Sequence, residues 1–358
     1  MNNNINNNSK TMIHDYDKYK DKGLSGLANL GNTCFINTCL SILSHTYELN
    51  NFLEDKKYLQ KIKKIHDSAL LLEWDNLRQL LWKDNCIISP NKFIQTLQYT
   101  AKIKQMDMFT GYDQNDLPEF LLFLIDCFHN SISREIRMTI TGNIENDTDK
   151  IAVKCFEKIK DMYTKDYSEI WNIFYAVQVT EIISLKSSKQ LNIIPEPYFT
   201  INLPIPPKIK SPTLLDCFDL FVEGEILSDE NAWFNESTNK KENVKKRTLF
   251  WSFPTILVID LKRFNNQNRK NQQLIEFPLT NLNLSKYVIG YKKNSYVYDL
   301  YGVCNHSGSV LGGHYTSYVK NANNKWYCFN DSSVSEVPIQ NSIVSPKAYC
   351  LFYRKIAN

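Results

Sequence analysis

Residues 26–37 read GLANLGNTCFIN, and this stretch sets the expectation for the fold. Polar Asn32 and Thr33 stand before an apolar run, a pattern typical of a cap on a helix that begins near Cys34. A cysteine at a helix start meets unpaired backbone N–H groups and the positive end of the helix dipole, and both favour thiolate. The stretch therefore predicts a reactive Cys34 with a lowered pKa. For a lone cysteine, the more common alternative is a buried structural residue.

A second glycine-rich stretch, NHSGSVLGGHYTSYV at residues 305–319, offers a partner for this thiol. His314 opens one predicted strand, and Asn330 with Asp331 closes the next, after a turn at 321–324. Such a hairpin brings a histidine next to a polar group that can orient it. Nucleophilic thiol catalysis needs that combination. Taken alone, the pattern also fits a hairpin with an incidental histidine.

The composition excludes several classes of protein. The chain has 358 residues, of which 43% are hydrophobic, and its net charge is only +4. This balance disfavours a nucleic-acid binder, and no apolar run is long enough for a transmembrane helix. The first ten residues lack the apolar stretch of a secretory signal. We therefore expect an intracellular protein whose nine cysteines are reduced.

The order of patterns along the chain predicts an α+β fold. Residues 1–22 are polar and predict a disordered tail, and 23–160 show mainly helical spacing. Prolines at 195–212 predict extended connections, and the polar stretch 228–248 predicts a solvated projection. Short runs rich in Val, Ile, Tyr and Phe predict strands at 173–183, 255–264, 296–303, 314–319, 325–329 and 348–353.

At this point the chain resembles the ubiquitin-specific proteases, a family of papain-like deubiquitinases, over nearly all of 23–355. Residues 26–37 and 298–319 resemble the family's Cys and His boxes. The remaining matches, in the family's order, are YDQNDLPEFLLFLIDCFH at 112–129, FPTILVIDLKRF at 253–264, FPLTNLNLSKY at 277–287 and AYCLFYR at 348–354.

The resemblance implies a papain-like fold with a helical thumb, a β-rich palm and β fingers. After the tail of 1–22, one catalytic domain would cover 23–358. The thumb would lie at about 23–160, the fingers at about 170–250 and the palm at about 251–358. A fingers insertion also accounts for the 280 residues between Cys34 and His314, a gap longer than the usual papain spacing.

Carried over by position, the resemblance makes Cys34 the nucleophile and His314 the general base and later the general acid. Asn330 becomes the third member, because it directly follows the aromatic residue of the last catalytic strand, and Asp331 becomes a helper. Asn29, five residues before Cys34, becomes the side chain of the oxyanion hole. The alternative for Asn29 is a turn residue that holds Leu30–Gly31.

The same resemblance implies a set of substrate-binding residues. Asp116 and Glu119 would hold the arginines of ubiquitin's C-terminal tail, although Asp-x-x-Glu before an apolar helix is also a capping box. Gly312–Gly313 would leave a narrow cleft for a Gly-Gly tail. Gln114 would line the same cleft.

Zinc is not expected, although many members of the family hold it with two CxxC pairs in the fingers. The matching stretches here read SLKS at 184–187 and NEST at 235–238, and neither supplies a zinc ligand set. We predict no metal and no cofactor. The other eight cysteines are expected to be small buried hydrophobes, and the basic run 240–247 a solvated face.

The resulting hypothesis is a monomeric cysteine protease that hydrolyses the isopeptide or thioester bond at the C-terminal glycine of ubiquitin. Its partners would be ubiquitin and ubiquitinated proteins, without nucleic acid or membrane, in the cytoplasm or nucleus. Two alternatives stay open. One is a catalytically weak module that only binds ubiquitin, and the other is a hydrolase of a ubiquitin-like modifier.

Overall fold

The structure, a computed structural model, describes residues 16–309, 312–338 and 342–356. Over these ranges the helices are α1 (Cys34–Ser44), α2 (Tyr47–Glu54), α3 (His66–Lys83), α4 (Asn91–Ile103), α5 (Leu117–Ile132), α6 (Asp147–Asp166), α7 (Glu169–Phe174) and α8 (Leu214–Glu223). The strands are β1 (Gly26–Leu27), β2 (Ile87–Ile88), β3 (Ala176–Ser184), β4 (Gln190–Tyr198), β5 (Thr200–Leu203), β6 (Glu225–Leu227), β7 (Trp233–Asn235), β8 (Lys240–Glu242), β9 (Val244–Phe250), β10 (Ile256–Leu261), β11 (Leu282–Asn283), β12 (Val297–Ser309), β13 (Gly312–Lys320), β14 (Trp326–Asn330), β15 (Ser333–Glu336) and β16 (Ala348–Lys355).

The first helix is the centre of the molecule. Every residue of α1 is buried, including the polar side chains of Asn37, Ser41 and Ser44. One side of α1 contacts α5, and the other lies against β12, β13 and β14. Its residues join a core shared by the helical half and one face of the large sheet.

The large sheet has the order β15-β14-β13-β12-β16-β10-β5, with β11 paired to β12. Its neighbours are antiparallel except β5 and β10, which run parallel. A second core covers the opposite face and includes Cys217 and Phe218 of α8. Because both faces are covered, the hairpin β13–β14 is held firmly where it meets α1.

The fingers form a separate sheet of order β4-β3-β9-β6, with the hairpin β7–β8 close to its tip. Helix α6 packs on β4, and a small core joins Ala152 and Cys155 of this helix to Val177 and Val179 of β3. This arrangement confirms the predicted α+β class.

One prediction of local structure is wrong, and two others are made more specific by strands that the sequence did not predict. Residues 16–22 are ordered rather than part of a tail, because Tyr19 is buried and stacks on Tyr47; residues 1–15 lie outside the described ranges. The stretch 228–248 contains β7, β8 and most of β9, since pairing with β3 satisfies the backbone of β9. The stretch 195–212 includes the end of β4 and all of β5.

One predicted range and two cysteines also differ from expectation. The range about 170–250, predicted as fingers, includes β5, which pairs with β10, and α8, which packs into the palm core. Cys86 is exposed rather than buried, and Cys328 is half-buried. Across the described ranges, we find no helix with the length and apolarity needed to cross a membrane.

Candidate active site

The nucleophile predicted from the sequence lies at the start of α1, and its side chain is buried. Burial raises the pKa of the Cys34 thiol, and the negative charge of Asp331 acts in the same direction. The backbone N–H groups of Tyr315, Phe35 and Cys34 itself act in the opposite direction. The predicted lowering of the pKa is therefore wrong, because desolvation outweighs the helix start. A base must take the thiol proton.

The helix start differs from the sequence prediction in a second respect. Thr33 is the N-cap residue, but its side chain makes no capping bond to the helix. Its hydroxyl instead accepts a hydrogen bond from the N–H of Leu30 at 3.0 Å. This bond fixes the turn that carries Asn29 in front of the cysteine.

The base lies on the strand that contacts the thiol. His314 directly precedes Tyr315, whose backbone N–H favours the thiolate form of Cys34, and the ring of His314 is exposed. The Nε2 of His314 donates to Oδ1 of Asn330 at 2.6 Å. Because an amide oxygen only accepts, this bond fixes the tautomer and leaves Nδ1 of His314 to act as base. The register of β13 and β14 thus joins Asn330, and not Asp331, to the histidine.

Asn29 performs the turn role and can also serve the site. Its Oδ1 accepts from the N–H groups of Gly31 and Thr33 at 3.0 and 3.2 Å. Its Nδ2 donates to Oδ2 of Asp331 at 3.0 Å and keeps a second hydrogen. The two functions proposed for Asn29 from the sequence are therefore compatible.

Asp331 contacts the helical half of the molecule. Its Oδ1 accepts from Nδ2 of Asn37 at 2.8 Å, and its backbone carbonyl accepts from the N–H of Leu27 at 2.9 Å. Asn37 is a site residue that we did not single out from the sequence. The available signal was its place three residues after Cys34, which puts both on one face of α1.

The five residues predicted to bind substrate line one cleft of about 310 Å³ or lie at its edge. Gln114 Oε1 accepts from the N–H of Gly313 at 2.5 Å, so the cleft is bridged where Gly312 lies. A side chain at Gly313 would start 2.4 Å from Nε2 of His306. Packing on β12 thus requires glycine at 313, and the narrow cleft for a Gly-Gly tail stays a prediction.

Of the two roles that the sequence suggested for the acids of the cleft, Asp116 performs the capping role, and the substrate role of Asp116 and Glu119 stays a prediction. Asp116 is the N-cap of α5 and accepts from the N–H of Glu119 at 3.2 Å and from the hydroxyl of Tyr349 at 2.5 Å. Burial raises the pKa of Asp116 and, together with the charge of Asp116, that of Glu119. Within the described ranges, no salt bridge neutralises either acid. A cation supplied by a substrate would relieve this uncompensated charge.

The fingers positions where relatives hold zinc carry hydroxyl and amide groups. Ser184 Oγ accepts from the N–H of Ser187, and Nδ2 of Asn235 donates to Glu242 at 2.6 Å. Thr238 adds a second, longer bond to the same carboxylate. In the described part of the chain, no group of three or more His, Cys, Asp or Glu side chains is arranged to hold a metal.

Comparisons with known proteins agree with this geometry. The family model "Ubiquitin carboxyl-terminal hydrolase" matches residues 25–353. Ubiquitin carboxyl-terminal hydrolase 2 of Bos taurus is 35% identical over 351 residues, covering 93% of this chain and 55% of that protein. The protein of the same name from Gallus gallus is 33% identical and is covered over 93% of both chains. This chain thus spans about half the length of the bovine relative.

Solved structures show the same similarity. The SAGA DUB module of a Ubp8 variant with Sgf11, Sus1 and Sgf73, bound to monoubiquitin, matches with a TM-score of 0.71 and 26% identity, over 98% of this chain and 72% of the matched chain. The Ubp8 module bound to ubiquitin aldehyde matches with the same TM-score and 25% identity, over 95% and 71%. These matches confirm the resemblance stated from the motifs.

Proposed function

The chain belongs to the ubiquitin carboxyl-terminal hydrolase family, and from that premise we propose that it hydrolyses the isopeptide or thioester bond at the C-terminal glycine of ubiquitin. One observation carries this proposal. Helix α1, which begins at Cys34, packs against the strand β13 that bears His314, and Asn330 orients the histidine ring. This is the combination of nucleophile, base and orienting group that acyl transfer through a thiol requires.

The proposed reaction proceeds in two stages. Nδ1 of His314 takes the proton of Cys34, and the thiolate attacks the carbonyl carbon of ubiquitin's terminal glycine. The second Nδ2 hydrogen of Asn29 stabilises the oxyanion. The imidazolium protonates the departing lysine amine as the C–N bond breaks. Water, deprotonated by His314, then hydrolyses the thioester and restores the thiol.

Substrate selection is assigned to the acidic cleft. Asp116 and Glu119 would pair with the basic residues of ubiquitin's tail, since their negative charges lack a cationic partner inside the described part of the chain. Asp116→Asn or Glu119→Gln should each raise KM by about 10-fold with little change in kcat, because one charge-assisted bond contributes about 1.5 kcal/mol. A panel of ubiquitin-like probes separates ubiquitin from a related modifier: labelling by another modifier and not by ubiquitin would transfer the proposal to that modifier.

Mechanism-based labelling tests the catalytic assignment. A ubiquitin with a C-terminal electrophile should form a covalent adduct with the wild type and none with Cys34→Ala. Cys39→Ala is the matched control, because Cys39 is another buried cysteine of α1 with no place in the site. Ubiquitin binding without an adduct, in a folded protein, would instead identify a binding module.

The cellular compartment, the oligomeric state and the partners are also proposals. All nine cysteines are unpaired, which supports action in a reducing compartment, the cytoplasm or nucleus. We propose that the chain works as a monomer, with ubiquitin and ubiquitinated proteins as its partners.

A further inference from the structure

The carboxylate of Asp331 joins two asparagine side chains. One oxygen accepts from Nδ2 of Asn37 at 2.8 Å, and the other accepts from Nδ2 of Asn29 at 3.0 Å. Asn37 is buried inside α1, whereas Asn29 is exposed at the site. The carboxylate thus connects a side chain fixed in the core to one that faces the substrate.

The amide of Asn29 is held at both ends by this arrangement. The turn of Gly31 and Thr33 takes its oxygen, and Asp331 takes one hydrogen of its nitrogen. The remaining hydrogen can only point along one direction in the amide plane. With the carboxylate displaced, only the bonds to its oxygen would hold the amide, and its N–H groups would be less firmly directed at the oxyanion.

Burial of the Asn37 side chain lowers the stability of the fold, and its contact with Asp331 gives a functional reason for it. Its side chain is 3% exposed, and its Oδ1 has no hydrogen-bond partner among the described residues. Its Nδ2 faces three acceptors, of which Asp331 is the nearest and the carbonyls of Leu27 and Ala28 lie at 3.3 and 3.4 Å. An unpartnered buried oxygen costs about 1–3 kcal/mol, and such local violations are expected where function requires them.

We propose that Asn37 is a positioning residue for the oxyanion donor: it fixes the carboxylate of Asp331, which in turn fixes the amide of Asn29. The inference rests on the proposed function, because the role of Asn29 belongs to it. It divides the site into two independent parts. Asn330 orients the base, and Asn37 with Asp331 orients the donor, although Asn330 and Asp331 are neighbours in sequence.

The test compares Asn37→Ala with a matched control, Asn50→Ala. Asn50 is also a buried asparagine whose Nδ2 bonds a backbone carbonyl, that of Ser44 at 2.6 Å, and whose Oδ1 lacks a partner among the described residues. Both variants should lose stability, but only Asn37→Ala should lose kcat, by about 10- to 100-fold, with KM within twofold. This loss is smaller than the ~10²–10³-fold fall in kcat expected when the oxyanion donor itself is removed.

Two reagents separate positioning from structural damage. Ubiquitin aldehyde adds to the thiol to give a hemithioacetal whose oxygen takes the oxyanion position, so its affinity for Asn37→Ala should fall by the same factor as kcat. Iodoacetamide alkylates a thiol without forming an oxyanion, so its rate with Cys34 should stay within twofold. In an Asp331→Ala background, adding Asn37→Ala should change kcat by no more than twofold.

Several outcomes would overturn the inference. These are an unchanged kcat in Asn37→Ala, alkylation slowed as much as turnover, or independent effects of Asn37→Ala and Asp331→Ala. If the wild type is alkylated by iodoacetamide but hydrolyses no ubiquitin conjugate, the proposed function fails and this inference fails with it. If the wild type hydrolyses the conjugate and Asn37→Ala has the same kcat, the positioning role is refuted and the proposed function stands.

Discussion

The bond from His314 to Asn330 allows a quantitative prediction. Asn330→Ala removes a hydrogen bond of 2.6 Å between two exposed side chains. Water can replace the lost acceptor at an exposed position, so the loss should be about 1–1.5 kcal/mol and not the larger penalty of a buried pair. This corresponds to a fall of about 5- to 12-fold in kcat/KM. The fall should be smaller than that of Asn29→Ala, which removes the proposed oxyanion donor.

Asn330→Asp separates orientation from charge. The aspartate keeps an acceptor for Nε2 of His314, so kcat/KM at pH 8 should stay within about threefold of the wild type, the lower range of one retained hydrogen bond. Its negative charge also stabilises the imidazolium. The acid limb of the kcat/KM profile should therefore move to higher pH, because the base stays protonated over a wider range.

The assay is the hydrolysis of a fluorogenic amide at the C-terminus of ubiquitin, followed from pH 5 to 9. Asn324→Gly is the control at the other end of the hairpin, where φ is +66° and glycine is well tolerated; its kcat/KM should be unchanged. Loss of all measurable activity in Asn330→Ala, or an acid limb that does not move in Asn330→Asp, would refute the assigned role of this side chain.

Three further predictions concern stability and the fingers. Burial raises the pKa of Asp260 to about 7, so the folded state keeps a proton that the unfolded state releases. The free energy of unfolding should therefore fall by up to about 4 kcal/mol as pH rises from about 4 to 7. Chemical denaturation of Asp260→Asn should lack this dependence on pH, and an equal dependence in the variant would contradict the prediction. Glu48→Ala leaves the buried guanidinium of Arg354 without its carboxylate. This change should lower the free energy of unfolding by about 3–5 kcal/mol, which calorimetry should show as a fall in Tm of about 4–7 °C. Asn235→Ala removes the bond to Glu242 and should lower stability by about 0.5–1.5 kcal/mol, the contribution of one hydrogen bond. A loss of stability of the wild type in EDTA would argue against fingers held without metal.

The fold could be predicted from sequence where local pattern and burial coincide. Helix α5 shows apolar residues at helical spacing, and β13 and β14 are short Tyr- and Phe-rich runs beside a polar turn; all three are present. The strands β4 and β9 were missed because their residues look unsuited to a core. β4 contains Pro195 and Pro197, and β9 carries Lys245, Lys246 and Arg247. Strand β4 is held by its hairpin with β3, whereas β9 pairs with β3 from a distant part of the chain and its Arg247 forms an ion pair with the buried Glu181.

The site could be predicted only as far as residue chemistry determines it. Cys34 and His314 follow from the chemistry that a thiol nucleophile needs. The strand pattern brought Asn330 and Asp331 together near the histidine, and the family resemblance selected Asn330. The direction of the Cys34 pKa could not be read, because it depends on how deeply α1 is buried. The role of Asn37 could not be read either, since its partner Asp331 lies 294 residues away.

The two parts of the site differ in what holds them together. The bond between His314 and Asn330 lies within one hairpin, so the base stays oriented as long as β13 and β14 remain paired. The oxyanion side instead spans the boundary between α1 and the palm. There the backbone of Asp331 bonds Leu27, and a side chain at Gly26 would start 2.3 Å from the carbonyl of Ser332. Separation of the helical half from the palm would therefore disable the oxyanion donor and also move Cys34 of α1 away from His314 of β13, even with the hairpin intact. Catalytic competence thus depends on this boundary more than on the hairpin.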